Sequence, residues 1–309
     1  MSNVIMQAIQ AQDYGGPEVL QLGPVPRPEP QANEVLIRVK AAGVNPADWK
    51  MRAGFFKQFR PLAFPWIPGL EGAGTVEATG SNVTTFKPGQ AVYGPINNSY
   101  AEYAVAPAND LYVKPEHLSF EQAASVPVGA LTAWQAVIEE AHVQPGQRVL
   151  IHGGAGGVGL YAVQFARWKG AHVTATASAS NADFVRSLGA EKVIDYHANK
   201  FEDVIKDVDA VIDTVGGDLI ERSLQVIRSG GVFVTVAGMV NPEMGQAHGI
   251  RLTRGQRADT TKLQQISELL KSKQLVPEVG RVFPLAEARQ AQVLSQTGHG
   301  RGRIVLRMG

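Results

Sequence analysis

A cluster of glycines between an apolar run and a helical pattern offers the clearest chemistry in this sequence. The run Val149–Ile151 reads as a buried strand, and Gly154-Ala155-Gly156-Gly157-Val158-Gly159 follows it closely. The spacing G-x-G-x-x-G between a strand and a helix is typical of a turn that binds a dinucleotide pyrophosphate. Glycine lets the backbone approach the phosphates, and unpaired N–H groups at the helix start bind their charge. A glycine-rich turn without a ligand is the alternative.

The end of the next expected strand bears on the choice of dinucleotide. It reads Ser178-Ala-Ser180-Asn181 and contains no acidic residue. An Asp or Glu about 20 residues past the glycines usually binds a free ribose 2′-OH, and it would repel a 2′-phosphate. Ser178 and Ser180 can donate to a phosphate, so we expect NADPH rather than NADH. No Arg or Lys stands at the strand end, although Arg186 follows on the next helix. Capping of that helix is the other role open to the serines.

Two further segments follow the fourth and fifth expected strands of this region. They hold the residues expected beside the nicotinamide, namely Thr214, Val215, Ala237, Gly238 and Met239. Open α/β sheets bind ligands at the carboxyl ends of their strands, which is the reason for this expectation. Thr132, on a preceding helix, is expected to donate to the same part of the cofactor, with ordinary helix packing as the alternative.

The candidates for a reacting centre lie in Asn45-Pro46-Ala-Asp48-Trp-Lys50. Hydride transfer needs a polarised acceptor oxygen and no protein nucleophile, and no Ser-His-Asp order is visible. Pro46 biases Asn45 away from helix, and the Asn45 amide can donate to an oxygen or an amide of substrate or cofactor. Asp48 is expected to orient the loop.

Aromatic residues are dense just downstream of this segment. They are Phe55, Phe56, Phe59 and Phe64, with Trp49 and Trp66 nearby. Such residues can line an apolar pocket for a flat acceptor, and they can equally form a domain core, which we expect of at least half of them.

Composition narrows the function classes. The chain has 309 residues, a formal net charge of +1 and 44% hydrophobic residues, without a basic block for nucleic acid or an apolar run of membrane-spanning length. With no signal peptide evident, we expect a cytoplasmic protein. Cysteine is absent, which excludes disulfides, thiolate nucleophiles and Cys-ligated zinc. The seven histidines are scattered, so we expect no metal site and assign the histidines to surface or packing roles.

The order of elements predicts an α/β fold in two domains. Residues 7–105 show short strands separated by Gly and Pro turns, as in a barrel-like domain. From 147 onward strands and helices alternate, which predicts a Rossmann-type doubly wound parallel sheet. The expected strands are 148–151, 172–177, 192–195, 210–214 and 232–237, and the expected helices are 129–140, 160–169, 181–188, 201–205, 219–227 and 260–275. The short tail ends in a strand-like run and cannot form its own core, so we expect it to complete the first domain. The domains are then 1–128 with 258–309, and 129–257.

These blocks together resemble the medium-chain dehydrogenase/reductase superfamily, and within it the zinc-free quinone oxidoreductases and alkenal or enone reductases. The likeness extends over nearly the whole chain. It is carried by the glycine turn and by the runs 43–50, 68–76, 87–92, 130–134, 188–190, 193–196, 213–217 and 230–234.

The resemblance implies a GroES-like catalytic domain, an NADPH-dependent reduction of quinones or α,β-unsaturated carbonyls, and a homodimer. Zinc-dependent relatives are expected to carry Cys and His near Asn45 and Leu70, and neither is present here. Without a metal, Glu71 is expected to form a structural ion pair. By the same resemblance Tyr196 lies against the 2′-phosphate.

Lys50 carries the proposed chemistry of the acceptor side. Enone-reducing relatives tend to have Lys at this position, and its ammonium would stabilise the developing enolate oxygen. A solvated loop lysine is the alternative. Two other functions stay open: a cofactor-binding relative without activity, and an enoyl-thioester reductase. A tyrosine near the nicotinamide would be expected for the latter. The run Gly249–Thr253 is expected to form an edge strand available to a partner.

Overall fold

The computed structural model describes residues 4–255 and 258–309, and the chain divides into two compact units. The first runs to Val128 and includes Leu263–Lys271 and Pro277–Gly309, while the second consists of Gly129–Lys262 and Ser272–Val276. In the described ranges no helix combines the length and apolar character needed to cross a membrane.

Strands and helices follow one another in three blocks. The first block contains β1 (Ile5–Gln10), β2 (Gln21–Pro26), β3 (Glu34–Val44), α1 (Pro46–Arg52), β4 (Gly72–Thr79), β5 (Ala91–Gly94), β6 (Tyr103–Pro107), β7 (Tyr112–Val113) and α2 (Phe120–Ala124). The second contains α3 (Pro127–Trp134), β8 (Arg148–His152), α4 (Gly159–Trp168), β9 (His172–Ala177), α5 (Ala182–Ser187), β10 (Lys192–Asp195), β11 (Val208–Asp213), α6 (Leu219–Leu224), β12 (Ile227–Thr235), α7 (Glu243–Gln246) and β13 (Arg251–Arg254). The third contains α8 (Leu263–Lys271), β14 (Val279–Pro284), α9 (Ala288–Gln296) and β15 (Arg303–Arg307).

The second unit is built on a six-stranded sheet in the order β10-β9-β8-β11-β12-β13. Every neighbouring pair is parallel, so the carboxyl ends of the strands share one edge. The strand order reverses between β8 and β11, which is where doubly wound sheets bind their ligands. Residues 159–166 of α4 are all buried, because nearly every position on this helix is apolar or small. The expected Rossmann-type fold is confirmed.

The first unit is built on a mostly antiparallel sheet in which the tail takes part, with β14 and β15 as its parallel pair. Its order is β14-β15-β3-β4-β5-β7, with β6 also paired to β3. The tail strand β15 pairs antiparallel with the end of β3, from Ile304 opposite Val44 to Arg307 opposite Ala41. Alternate β3 residues, Val35, Ile37 and Val39, belong to the main apolar core of this unit together with Leu306 of the tail. The tail therefore buries its apolar face in the first unit, as its length predicts.

Most element predictions hold, and those of four helices and one strand need correction. Residues 201–205 form a short 3-10 turn, Phe201–Asp203, instead of a helix. The helix predicted over 219–227 ends at Leu224, and β12 begins at Ile227 rather than 232. The predicted helix 129–140 begins at Pro127, and its last turn, Gln135–Glu140, is π-helical. The helix predicted over 260–275 is shortened to Leu263–Lys271.

The early start of β12 has a local cause. Its pairing with β11 is irregular between Val208 and Ala210, and the Gly230 backbone takes a φ of 75°. Glycine accepts this left-handed conformation without strain, so the strand passes through Ser229-Gly230-Gly231 as a bulge where the sequence suggests a break.

Candidate functional site

The glycine turn connects β8 to α4 and leaves open space at its centre. Gly153, at a φ of 72°, begins the turn, and the Gly154 N–H donates to the Thr176 carbonyl at 2.9 Å, which ties the turn to β9. A Cβ on Gly159 would lie 2.0 Å from the Gly153 carbonyl oxygen, so only glycine lets the helix pack this closely on the strand end. A Cβ on Gly156 would approach that same oxygen at 3.3 Å and no other atom within 4 Å. The residues thus fit the expected role: Gly159 serves packing, and Gly156 leaves room for a ligand.

Helix α3 packs beside this turn. A Cβ on Gly129 would lie 2.6 Å from the Gly157 carbonyl oxygen, which shows how closely the helix backbone approaches. Thr132 is one turn further along α3 and is half-buried. The structure therefore places Thr132 on the helix that borders the glycine turn.

A buried carboxylate holds two neighbouring loops at the same edge of the sheet. Asp213 Oδ1 accepts from the N–H groups of Val215 at 2.9 Å and Gly216 at 3.0 Å. Its Oδ2 accepts from Thr235 Oγ1 at 2.7 Å, and that hydroxyl accepts from the Ala237 N–H at 3.1 Å. Asp213 thereby fixes both segments predicted to lie beside the nicotinamide. Its role is not evident from the sequence alone, although an acidic residue at the carboxyl end of a strand in a parallel sheet is a usable signal.

The loop residues themselves present exposed apolar surface at this edge. Val215 is 58% exposed and Met239 is 76% exposed. A Cβ on Gly238 would meet no atom within 4 Å. Thr214 Oγ1 donates to the His152 carbonyl at 2.7 Å, which anchors the first loop to the end of β8. The structure brings together the predicted residues that follow β8, β11 and β12.

His152 is a packing residue, as expected. Its ring lies 4.6 Å from the Phe201 ring, and its Nε2 lies 3.0 Å from Ser223 Oγ. Burial lowers the pKa of His152 to about 4, although the nearby Asp213 carboxylate opposes the shift. The imidazole is therefore neutral at neutral pH.

The ends of β9 and β10 gather the residues predicted to bind a 2′-phosphate. Ser178 Oγ lies 3.0 Å from Ser180 Oγ, and Asn181 Nδ2 donates to Ser178 Oγ at 3.0 Å. The Tyr196 N–H donates to the Ala177 carbonyl at 3.4 Å, which places Tyr196 beside these hydroxyls. Arg186 instead pairs with Asp183 on α5 at 2.7 Å. The cluster offers hydroxyl and amide donors to a ligand, with Tyr196 half-exposed next to it.

In the first unit, Asn45 belongs to a buried polar cluster with Glu71 and Arg303. Asn45 Nδ2 donates to Glu71 Oε1 at 2.8 Å, and Asn45 Oδ1 accepts from Arg303 Nη2 at 2.7 Å. Glu71 forms an ion pair with Arg303, which confirms the expected structural role of Glu71. Glu71 Oε2 also accepts from the Val128 N–H in α3 at 2.7 Å. These contacts fix the orientation of the Asn45 amide, and Asn45 is only 2% exposed.

Asp48 orients the chain at the start of α1, as expected. Its Oδ2 accepts from the Asn45 N–H at 2.7 Å and from Tyr100 Oη at 3.2 Å, whereas its buried Oδ1 has no hydrogen-bond partner among the described residues. Burial raises the pKa of Asp48 to about 7; hydrogen bonding by Asn45 opposes this, and the charge of Glu71 adds to it.

Lys50 lies on the same helix and is half-buried. Its Nζ is 5.5 Å from the centroid of the Trp49 ring. Within the part of the chain that the structure describes, this ammonium has no hydrogen bond and no ion pair. It remains available to a ligand.

A cavity of about 450 Å³ lies beside α1 in the first unit. Its walls are formed by Met51, Arg60, Pro61, Leu62, Ala63, Pro65, Trp66, Ile67, Gly69, Leu70, Asn97 and Asn98. Of the six aromatic residues considered from sequence, Trp66 lines it. Phe64 packs on the core with its ring 5.0 Å from that of Tyr14, while Phe55 and Phe59 are 64% and 82% exposed. Across residues 4–255 and 258–309, His, Asp and Glu side chains form no group of three placed to hold a metal ion.

The chain is similar to known proteins over nearly its whole length. Residues 31–116 match the family described as alcohol dehydrogenase GroES-like domain, and residues 188–306 match that described as zinc-binding dehydrogenase. A quinone oxidoreductase of Sus scrofa is 35% identical, with 93% of each chain covered. A 2-methylene-furan-3-one reductase of Solanum lycopersicum is 33% identical, covering 97% of this chain and 79% of its own. The solved quinone oxidoreductase of Coxiella burnetii is 38% identical with a TM-score of 0.90, over 98% of this chain and 99% of that one.

Proposed function

Because the chain belongs to the quinone oxidoreductase family of the medium-chain dehydrogenase/reductase superfamily, and is an oxidoreductase with a nicotinamide cofactor, we propose that it is an NADPH-dependent reductase of quinones or α,β-unsaturated carbonyls. The observation that carries this proposal is the shared edge of the parallel sheet. There an open glycine turn, two loops held by Asp213 and a hydroxyl cluster meet at the carboxyl ends of the strands.

Different residues of the second unit are proposed to bind different parts of the cofactor. Gly154, Ala155, Gly156, Gly157, Val158 and Gly159 would bind the pyrophosphate at the start of α4, since the first turn of a helix leaves N–H groups unpaired. Thr214, Val215, Ala237, Gly238 and Met239, with Thr132, would hold the nicotinamide half. When bound, the reduced nicotinamide supplies the hydride.

The preference for NADPH rests on the cluster at the ends of β9 and β10. Ser178, Ser180 and Asn181 offer donors where a carboxylate would repel a 2′-phosphate, and the Tyr196 N–H is hydrogen-bonded to the Ala177 carbonyl next to them. Because Arg186 is engaged by Asp183, the proposed preference depends on neutral donors rather than on a guanidinium.

On the acceptor side, two residues have the proposed catalytic roles. Lys50 polarises the acceptor carbonyl, because its ammonium is unpaired in the described chain and would stabilise an oxygen that becomes negative. Asn45, fixed by Glu71 and Arg303, positions the ligand next to it. We propose that the acceptor lies beside α1, where Met51, next to Lys50 in sequence, lines the cavity and Lys50 borders it from outside the lining. The proposed reaction involves no metal.

Oxidation of NADPH and NADH by the purified protein tests the proposal. The absorbance of the reduced cofactor is followed with a quinone and with an enone, and KM is measured for each dinucleotide. We expect both acceptors to be reduced and NADPH to have the lower KM. A lower KM for NADH would contradict the cofactor assignment. Binding of NADPH without reduction of either acceptor would favour the non-enzymatic alternative.

We also propose that the protein forms a homodimer. The strand β13 stands at the edge of the six-stranded sheet, as expected for residues 249–253, and its outer side can pair with a second copy. Sedimentation of the purified protein measures the state directly.

A further inference from the structure

The cavity beside α1 is lined mostly by apolar residue types and contains a single charged side chain. Most of its lining residues are apolar, among them Leu62, Trp66 and Leu70, and Arg60 is the charged residue of the set. Asn97 and Asn98 add amide groups on another part of the wall. A site of this size and composition suits a flat apolar ligand that carries one polar substituent.

The charge of Arg60 is not neutralised by the protein. In the ranges that the structure describes, no ion pair links Arg60 to a carboxylate. Glu71, which follows the lining residue Leu70, is fully buried and paired with Arg303. The Arg60 main chain is held in place by its N–H, which donates to the Phe56 carbonyl at 2.8 Å.

We propose that Arg60 is a specificity-determining residue that makes this cavity select acceptors with a negatively charged substituent, such as a carboxylate or sulfonate, on a flat apolar frame; this inference rests on the proposed function. A guanidinium presents paired N–H donors that match the oxygens of such a group. Arg60 is solvent-exposed, so the attraction is that of a solvated ion pair and is screened by salt.

The test compares a naphthoquinone sulfonate with the parent naphthoquinone. For each protein the ratio of kcat/KM values of the two acceptors is measured, so that their intrinsic difference in reactivity cancels between proteins. Arg60→Gln removes the charge. Lys57→Gln is the matched control, since Lys57 lies on the same segment outside the cavity, with Nζ 5.2 Å from the Tyr14 ring centroid.

We expect Arg60→Gln to lower the sulfonate preference about fivefold, and Lys57→Gln to leave it unchanged. High salt should reduce the preference of the unmodified protein in the same direction. An unchanged ratio in Arg60→Gln would overturn the inference. An equal fall in Lys57→Gln would also overturn it, because the effect would then belong to the general surface charge.

A binding measurement separates this inference from the proposed function. Calorimetry with naphthalene sulfonate and naphthol needs no turnover, and we expect the sulfonate to bind more tightly than naphthol, with that advantage lost in Arg60→Gln. If neither naphthoquinone is reduced but the sulfonate still binds through Arg60, the proposed function fails while the anionic site stands. If both naphthoquinones are reduced but Arg60→Gln does not change the binding of the sulfonate or the preference for it, the inference fails and the proposed function stands.

Discussion

Lys50 is the residue on which the proposed acceptor chemistry depends most directly. Replacing it with Ala removes the ammonium that would stabilise an enolate oxygen, so we expect kcat/KM for an enone to fall about 100-fold. Because Lys50 is assigned no contact with the cofactor, KM for NADPH should not change. Lys57→Ala provides the control for loss of a nearby lysine. Unchanged kcat/KM on the enone would remove Lys50 from the mechanism and leave it as a solvated lysine.

Because of Asp48, the free energy of unfolding should fall as the pH rises. Most carboxylates have the opposite effect. Its pKa is raised from 3.8 to about 7 in the folded chain, mainly by burial, so the folded state holds this proton more tightly than the unfolded state. Its stabilising contribution is complete below pH 3.8 and is lost as the pH rises through about 7. The slope amounts to about 1.4 kcal/mol per pH unit for one proton.

Urea unfolding of the Asp48→Asn variant between these pH values measures that contribution. We expect the variant to lose less stability than the unmodified protein as the pH rises, because its amide does not ionise. Asp183→Asn is the control, since the Asp183 side chain is fully exposed. Parallel stability curves for Asp48→Asn and the unmodified chain would show that Asp48 ionises normally.

Substitutions of two glycines in the turn between β8 and α4 should have different effects, because these glycines have different surroundings. One substitution should affect folding and the other ligand binding. A methyl group on Gly159 would collide with the Gly153 carbonyl, whereas one on Gly156 points into nearly open space. We expect Gly159→Ala to cost about 3 kcal/mol of unfolding free energy. Gly156→Ala should leave the melting temperature unchanged but weaken NADPH binding about tenfold, because the methyl group occupies the place of the phosphates. Calorimetric affinity and thermal melts of both variants check this; a large loss of stability in Gly156→Ala would contradict it.

Elements with a strong local signal could be predicted from the sequence. Strands β9 and β10 have the predicted bounds, because an apolar run in each is closed by polar or turn-forming residues. Residues 201–205 were wrongly predicted as helix, since Phe201 and Ile205 are buried by tertiary packing rather than by an amphipathic helix. The role of Asp213 was missed because it depends on loops that follow two different strands.

At the scale of the whole molecule, the sequence predicts that the tail returns to the first unit but not what it contributes there. Arg303 lies 258 residues from Asn45 and 232 from Glu71, and no periodicity or motif links positions so far apart. The residues predicted as catalytic were therefore identified from their local motif and from the family resemblance. The fixed orientation of Asn45 depends on Arg303, and this contact is evident only in the folded chain.

The ion pair between Arg303 and Glu71 joins the tail to the rest of the first unit. Its loss should therefore destabilise the whole unit. The side chains are 3% and 0% exposed, so Arg303→Met leaves a carboxylate buried without its partner. We expect this variant to lose about 3–5 kcal/mol of unfolding free energy in denaturant titrations. Adding Glu71→Gln removes the stranded charge and should restore a large part of that loss. A cost of less than about 1 kcal/mol for Arg303→Met, as in an exposed pair, would mean that water reaches Glu71 and that the tail does not seal this cluster.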